Sequence, residues 1–315
     1  MNHSAVILQN LSKSYKTVKA LTEINVTINK GELFGFIGPD GAGKTTLFRI
    51  LTTLLNPDSG TATVEGFDTV KNYKSIRNIV GYMPGRFSLY QDLTVEENLK
   101  FFASIYKTTI EENYHLISDI YKHIEPFKHR KAGKLSGGMK QKLALSCALI
   151  HKPEVLFLDE PTTGVDAVSR MEFWEMLKKL RSQGITILVS TPYMDEAALC
   201  DRVALMQNGH IMTIDTPDAI IGAFPVKIYT VRSNRMYHLL NELQTIPETE
   251  AVYRFGDVVH YLNHSETFDP MIITRHLDAI GHTEIVVKQA VPTIEDSCML
   301  SMRKSDKFNI PGNDN

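Results

Sequence analysis

The chain has 315 residues, 43% of them apolar, and a formal net charge of −2. That is enough apolar material for a full core, and the length suits one large domain plus a smaller one, or two. A near-neutral chain without runs of like charge carries no electrostatic footprint for nucleic acid or an anionic bilayer. Its three scattered cysteines, Cys147, Cys200 and Cys298, form no CxxC, which argues against a disulfide framework or a zinc site and fits a reducing compartment. The N-terminus lacks a basic segment leading into a long apolar core, and no apolar stretch approaches the ~18 residues of a membrane span. Any membrane role is therefore expected to come through a partner.

Residues 32–37 are predicted to form a short apolar strand, and Leu47, Ile50, Leu51, Leu54 and Leu55 fall at helical spacing after Gly43. Between them, residues 38–46 read GPDGAGKTT, matching G-x-x-x-x-G-K-[ST]. Glycines at 38, 41 and 43 let backbone amides wrap phosphate oxygens at the positive end of the following helix. The loop Gly38, Pro39, Asp40, Gly41, Ala42, Gly43, Lys44, Thr45 and Thr46 is thus a candidate nucleotide-binding element. Lys44 would neutralise the outer phosphates, and Thr45 would offer its hydroxyl to Mg²⁺.

Further along, residues 86–134 carry amphipathic helix signals, including Thr94-x-x-Glu97 as a capping box ahead of Leu99, Phe102 and Ile105. Ser136, Gly137 and Gly138 open another helix, predicted to present Leu143, Ala144, Cys147 and Ala148 as an apolar face and its bare amides as an anion site. An ordinary capped helix starts the same way. Val155, Leu156, Phe157 and Leu158 read as a strand buried on both faces, ending in Asp159 and Glu160. Ligands of open α/β sheets bind beyond the carboxyl ends of strands, so Asp159 could hold Mg²⁺ while Glu160, the candidate catalytic residue, polarises an attacking water.

LSGGMKQK at 135–142, placed between these two phosphate elements, resembles the signature of an ATP-binding cassette (ABC) transporter ATPase, and the resemblance covers residues 1 to about 220. It implies an α/β P-loop NTPase cassette, a mixed sheet core plus a helical subdomain. In that family the signature residues Ser136, Gly137 and Gly138 complete a partner's ATP site, and Tyr15 matches the aromatic that stacks on adenine, although a core tyrosine would read alike. Asp166 in TGVDAVSR matches the loop that crosses between paired subunits, although an acidic helix cap would look similar. The helical subdomain, about residues 86–150, would dock on the membrane subunit.

Two positions depart from the family pattern. Gly85 stands where a glutamine senses Mg²⁺ and water, and Pro192 stands where a histidine contacts the terminal phosphate. Neither supplies a side-chain donor. The departures imply firm ATP binding with weak or partner-dependent turnover, and an asymmetric pair with a second, fully equipped ABC ATPase explains both. A homodimer in which Gln91 or Thr191 takes over is the other option, and Gln91 equally suits an exposed loop.

Asn208-Gly209 between apolar flanks predicts a hairpin, and Thr216-Pro217-Asp218 a helix start. The cassette is expected to span 1–222. Residues 225–300 read as strand, helix, hairpin at Gly256-Asp257, helix and strand, a small α+β subdomain of ferredoxin-like βαββαβ order. Its His260, His264, His276 and His282 lack metal-ligand spacing. Similar appendages occur in export-type members, whose ending VPTIEDSCM at 291–299 resembles. Residues 301–315 have too little apolar content to fold alone and are expected to form a flexible tail.

The expected function is the ATP-binding, ATP-hydrolysing subunit of an export complex that uses ATP and Mg²⁺. It would work with integral membrane permease subunits and without nucleic acid, cytoplasmic and peripheral on the inner face of the membrane. The alternatives are a soluble, non-transport ABC ATPase and a nucleotide-sensing scaffold.

Overall fold

Two long opening strands, β1 (Ser4–Tyr15) and β2 (Val18–Asn29), pair antiparallel, and buried and exposed residues alternate along the second half of β2. β3 (Leu33–Ile37), apolar or glycine throughout, is buried at every position. α1 (Lys44–Leu51), β4 (Ser59–Val64), β5 (Phe67–Asp68), α2 (Tyr73–Ile79) and β6 (Val80–Met83) follow. Then come three helices, α3 (Val95–Ile105), α4 (Ile110–Tyr121) and α5 (Gly137–Leu149), before β7 (Val155–Asp159), α6 (Ala167–Ser182), β8 (Thr186–Thr191), β9 (Arg202–Gln207), β10 (His210–Asp215) and α7 (Pro217–Gly222). The computed structural model describes residues 4–265 and 267–300, and the expected tail at 301–315 lies outside them.

The chain divides into two units, Met1–Pro217 and Asp218–Asn315. In the first, β2-β1-β4-β5 form an antiparallel sheet, and a six-stranded sheet runs β10-β9-β3-β8-β7-β6. Within it β9, β3, β8, β7 and β6 are parallel, and β10 returns antiparallel through Asn208-Gly209. Both turn residues have positive φ, 48° and 77°, which is what a type I′ turn requires. α1 packs between the sheets, and Phe48 meets Phe36 and Phe157 edge-on at 5.9 and 5.7 Å.

The capping boxes at Thr94–Glu97 and Thr109–Glu112 start α3 and α4 with both reciprocal bonds made. Contrary to the expected single apolar face, the second half of α5 is buried nearly all round, with Leu145, Ser146 and Leu149 joining Leu143, Cys147 and Ala148, while Ala144 is only partly buried. Helices enclosed by neighbours lose the stripe that a surface helix shows. Ile105, expected inward, is 54% exposed. The three cysteines are free and buried, and burial pushes their thiols well up, Cys298 to about 12.

The second unit contains β11 (Ile228–Arg232), α8 (Met236–Leu243), β12 (Thr249–Phe255), β13 (Val258–Asn263), α9 (Met271–Ala279) and β14 (Val286–Ala290). The sheet order is β12-β13-β11-β14, every pair antiparallel. This is the ferredoxin-like arrangement. Leu239, Leu243, Ile273 and Leu277 from the two helices cover one face. On the other face Ile228, Ala251 and Leu262 pack with Leu300, from a helix over 294–300. Asp296 anchors that helix: it is buried, accepts from Tyr253 Oη at 2.7 Å and lies 2.7 Å from His260 Nδ1. His282 bridges Ser233 and Glu242. The described residues hold no group of three or more potential metal ligands.

Candidate functional site

Strand order places the candidate site. β8 lies between β3 and β7, so the loop after β3, the carboxylates ending β7 and the last residues of β8 meet at one sheet edge. Registers pair Ile37 with Thr191 and Asp159 with Ser190.

The loop's glycines are needed on steric grounds. A Cβ on buried Gly38 would lie 2.1 Å from Met206 O, and one on Gly43 would lie 2.3 Å from Ala20 O. Gly41 has open space around it but φ of +82°, a region that L side chains occupy at a cost. Gly43 is the N-cap of α1 at φ 103° and provides no side-chain cap. The first amides of α1, those of Lys44, Thr45 and Thr46, are thus left to an external acceptor. Pro39, Asp40 and Ala42 complete the loop, whose Ala42 N–H closes a turn on Pro39 O at 3.2 Å.

Lys44 is buried. Its Nζ donates to Gly38 O at 2.8 Å and to Pro39 O at 3.0 Å, and it lies 3.5 Å from Glu160 Oε1. Thr45 Oγ1 donates to Asp159 Oδ1 at 3.2 Å. A hydroxyl and a carboxylate form an oxygen-only donor set, the chemistry that suits a hard divalent cation such as Mg²⁺. Asp159 is 2% exposed. Glu160 is half-buried with φ of +49°, a left-handed conformation that a non-glycine residue holds only when its surroundings impose it.

The other candidate residues occupy distinct places. Tyr15 ends β1, 43% exposed, on the hairpin whose Ala20 carbonyl contacts Gly43. Ser136 caps α5, its Oγ accepting from Met139 N at 3.4 Å, and Ser136 and Gly137 are exposed. Gly138 is buried: a Cβ there would lie 2.7 Å from Ser169 Oγ, so the glycine lets α5 approach α6. Asp166 is exposed and caps α6, accepting from Ser169 N at 3.0 Å. That bond holds its carboxyl below the usual range. The signature helix therefore meets Ser169, the residue whose amide Asp166 caps, and its Gly137 also approaches Gly164 of the same loop.

Gly85 is exposed beside the site, and a Cβ there would lie 3.1 Å from Asp159 O. Pro192 follows β8. Thr191 next to it is fully buried, its Oγ1 donating to Glu196 Oε2 at 2.6 Å. Glu196 also accepts from Thr162 at 2.7 Å and from Arg170 at 3.0 Å, so Thr191 is committed to an internal network. Gln91 is exposed, and its main-chain carbonyl accepts from Gly133 N at 2.9 Å. Sequence reasoning missed Ser190, whose Oγ donates to Asp159 Oδ1 at 2.5 Å. A lone serine in an apolar strand gives no periodic signal, and only the register with β7 reveals it.

A groove of about 450 Å³ opens beside β6, lined by Tyr82, Met83, Leu89, Phe102, Cys147 and His151, among others. Burial and the Asp159 charge push the Tyr82 phenol up to about 12. Burial pulls the His151 imidazole down. No helix among the described residues is long and apolar enough to cross a membrane.

A family model described as "ABC transporter" matches residues 21–163. The probable multidrug ABC transporter ATP-binding protein YbhF of Escherichia coli (strain K12) is 40% identical over 305 residues, covering 94% of this chain and 52% of the relative. The chain thus spans about half the length of that curated relative. Nod factor export ATP-binding protein I of Sinorhizobium fredii (strain NBRC 101917 / NGR234) is 37% identical over 299 residues, covering 93% of this chain and 84% of the relative. A solved structure titled as the dimeric post-hydrolysis state of the ATP-binding cassette MJ0796 bound to ADP and Pi superposes with a TM-score of 0.61 at 28% identity. It covers 67% of this chain and 98% of that one.

Proposed function

The chain belongs to the ABC transporter family, and we propose that it is the ATP-binding and ATP-hydrolysing subunit of an export complex. The observation that carries this reading is the convergence of Lys44, Thr45, Asp159 and Glu160 at one sheet edge, with Thr45 Oγ1 3.2 Å from Asp159 and Lys44 Nζ 3.5 Å from Glu160. In this reading the cassette covers 1–222, with a helical subdomain at about 86–150, and the α+β subdomain covers 225–300.

The amides of Gly41, Gly43, Lys44, Thr45 and Thr46 and the Lys44 ammonium bind the phosphates, Tyr15 stacks on adenine, and Thr45 with Asp159 would hold Mg²⁺. Bound there, the cation supplies charge neutralisation for the phosphoryl oxygens. Glu160 accepts a proton from the attacking water as general base. Ser136, Gly137 and Gly138 complete the site of a paired cassette, and Asp166 lines the crossing between the two.

Gly85 and Pro192 leave this chain's own site short of two polar contacts. Losing one well-placed donor costs about 2.7–4 kcal/mol in comparable oxyanion sites. Because the Thr191 hydroxyl is tied to Glu196, Thr191 is not free to compensate. We therefore favour a heterodimer with a second, fully equipped ABC ATPase over a homodimer. The groove beside β6, with Tyr90, Phe101 and Ile105 exposed near the same helices, is the surface offered to integral membrane permease subunits. They would hold the chain at the inner face of the membrane.

The test is to compare ATPase turnover of the purified chain with that of the chain co-purified with its membrane partner. Turnover by the chain alone as fast as that of the assembly would reject the heterodimer. Failure to recover any membrane protein would turn the reading towards a non-transport ATPase.

A further inference from the structure

Ser190 is the last polar side chain but one on β8, fully buried behind Ile187, Leu188 and Val189. A hydroxyl carried into an apolar interior is costly unless both its donor and its acceptor capacity are used. Both are used on the acidic pair. Ser190 Oγ donates to Asp159 Oδ1 at 2.5 Å, the same oxygen that Thr45 Oγ1 reaches at 3.2 Å, and it accepts from Glu160 N at 3.1 Å. The Ser190 carbonyl accepts from that same amide at 2.9 Å. Glu160 thereby has its N–H gripped by two oxygens of one residue, where its φ of +49° needs an external constraint.

We infer that Ser190 is a positioning residue for both acidic groups of the phosphate site, orienting Asp159 towards Thr45 and holding Glu160 in its left-handed conformation. This rests on the nucleotide reading above and extends it to a residue outside the phosphate loop and signature. Among the described residues Ser190 bears this role alone on its side of the site, because Gly85 and Pro192 beside it offer no side-chain donor. Ser190 acts through Asp159 and Glu160 and has no direct part in the chemistry.

The test is binding of a fluorescent ATP analogue to the full chain, measured with Mg²⁺ and with EDTA. Ser190→Ala should leave affinity in EDTA within about twofold of wild type and reduce the enhancement by Mg²⁺ about tenfold, the loss typical when a partner orienting a metal-holding group is removed. Ser190→Thr, which keeps the hydroxyl, should recover most of that enhancement. A purely structural role would lower both affinities together. That result, or a Mg²⁺ enhancement undiminished in Ser190→Ala, or a wild type that binds equally in both conditions, overturns the inference. Should Ser190→Ala fail to fold, Ser190→Cys, close in volume and a weaker donor, is measured the same way, and an undiminished enhancement overturns the inference equally. A wild-type chain with no affinity for the analogue in either condition overturns the nucleotide reading itself.

Discussion

Lys44 Nζ lies 3.5 Å from Glu160 Oε1 while donating to Gly38 O and Pro39 O, so the loop's one cation is held by its own backbone and by the candidate base. An incoming triphosphate exchanges these partners for its own oxygens. Removing a charged donor of this kind costs about 1.5–3 kcal/mol, so Lys44→Ala should weaken ATP binding roughly 10- to 100-fold, read by calorimetry. Glu160→Gln keeps the side chain's size and removes the base. It should retain ATP affinity while hydrolysis in the assembled complex falls by about 10²–10⁴, and unchanged hydrolysis would remove Glu160 from the mechanism.

Two of the loop glycines, Gly43 and Gly41, should respond unequally to alanine. Gly43→Ala meets Ala20 O at 2.3 Å and must also hold φ of +103°, so strain and overlap together should cost at least about 2 kcal/mol. Gly41→Ala has open space and only the φ cost, about 1–2 kcal/mol. Urea unfolding of the two variants checks the order. Equal midpoints would show that the contact with Ala20 relaxes freely.

These residues also show what could be read from the chain and what could not. The loop, the Thr94–Glu97 capping box and the Asn208-Gly209 turn are local chemistry, in which each residue's role depends on neighbours within a few positions, and the structure has them where the sequence puts them. The end of α1 is different. The apolar spacing runs on to Leu54 and Leu55, yet the helix stops at Leu51, Thr53 turns left-handed at φ 62°, and Leu54 is 58% exposed. Periodicity registers which residues are apolar and is blind to where a helix leaves its sheet. Ser190 was hidden for a related reason: its partners Asp159 and Glu160 are brought to it by the register of β8 with β7, contacts that no short window contains.

Asp296 gives the second unit an acid sensitivity. Burial pushes its carboxyl up, but donors at His260, Tyr253 and Thr293 outweigh that and hold it below the ordinary 3.8. A carboxyl depressed by folding adds stability that is intact above its unfolded value and lost as pH falls through the lower folded value. Hydrogen exchange at β12 and β13 should therefore accelerate below about pH 4. Asp296→Ala removes the carboxylate that the Tyr253 hydroxyl, the His260 ring nitrogen and Thr293 all bond, and should cost about 3 kcal/mol at neutral pH. Protection in β12 and β13 equal to that of wild type would show that the helix over 294–300 holds without this anchor.

Restoring the two departures is the most direct test of why this site differs from its family. Around Gly85 the nearest obstacles to an added Cβ are Asp159 O at 3.1 Å and Glu160 Cβ at 3.6 Å, so the first atom of a glutamine side chain needs a shift of only a few tenths of an ångström. Pro192 is half-buried and directly follows Thr191, whose hydroxyl is already engaged, so a histidine there would bring a donor without displacing an existing bond. If each missing donor accounts for about 2.7–4 kcal/mol of transition-state stabilisation, Gly85→Gln with Pro192→His should raise turnover of the chain's own site by at least about 10²-fold. ATP affinity, which depends on the loop and Lys44, should change little. Single-turnover hydrolysis in a complex whose partner cassette carries an inactivated base isolates that site. A double variant no faster than wild type there would mean that the site lacks something other than these two donors.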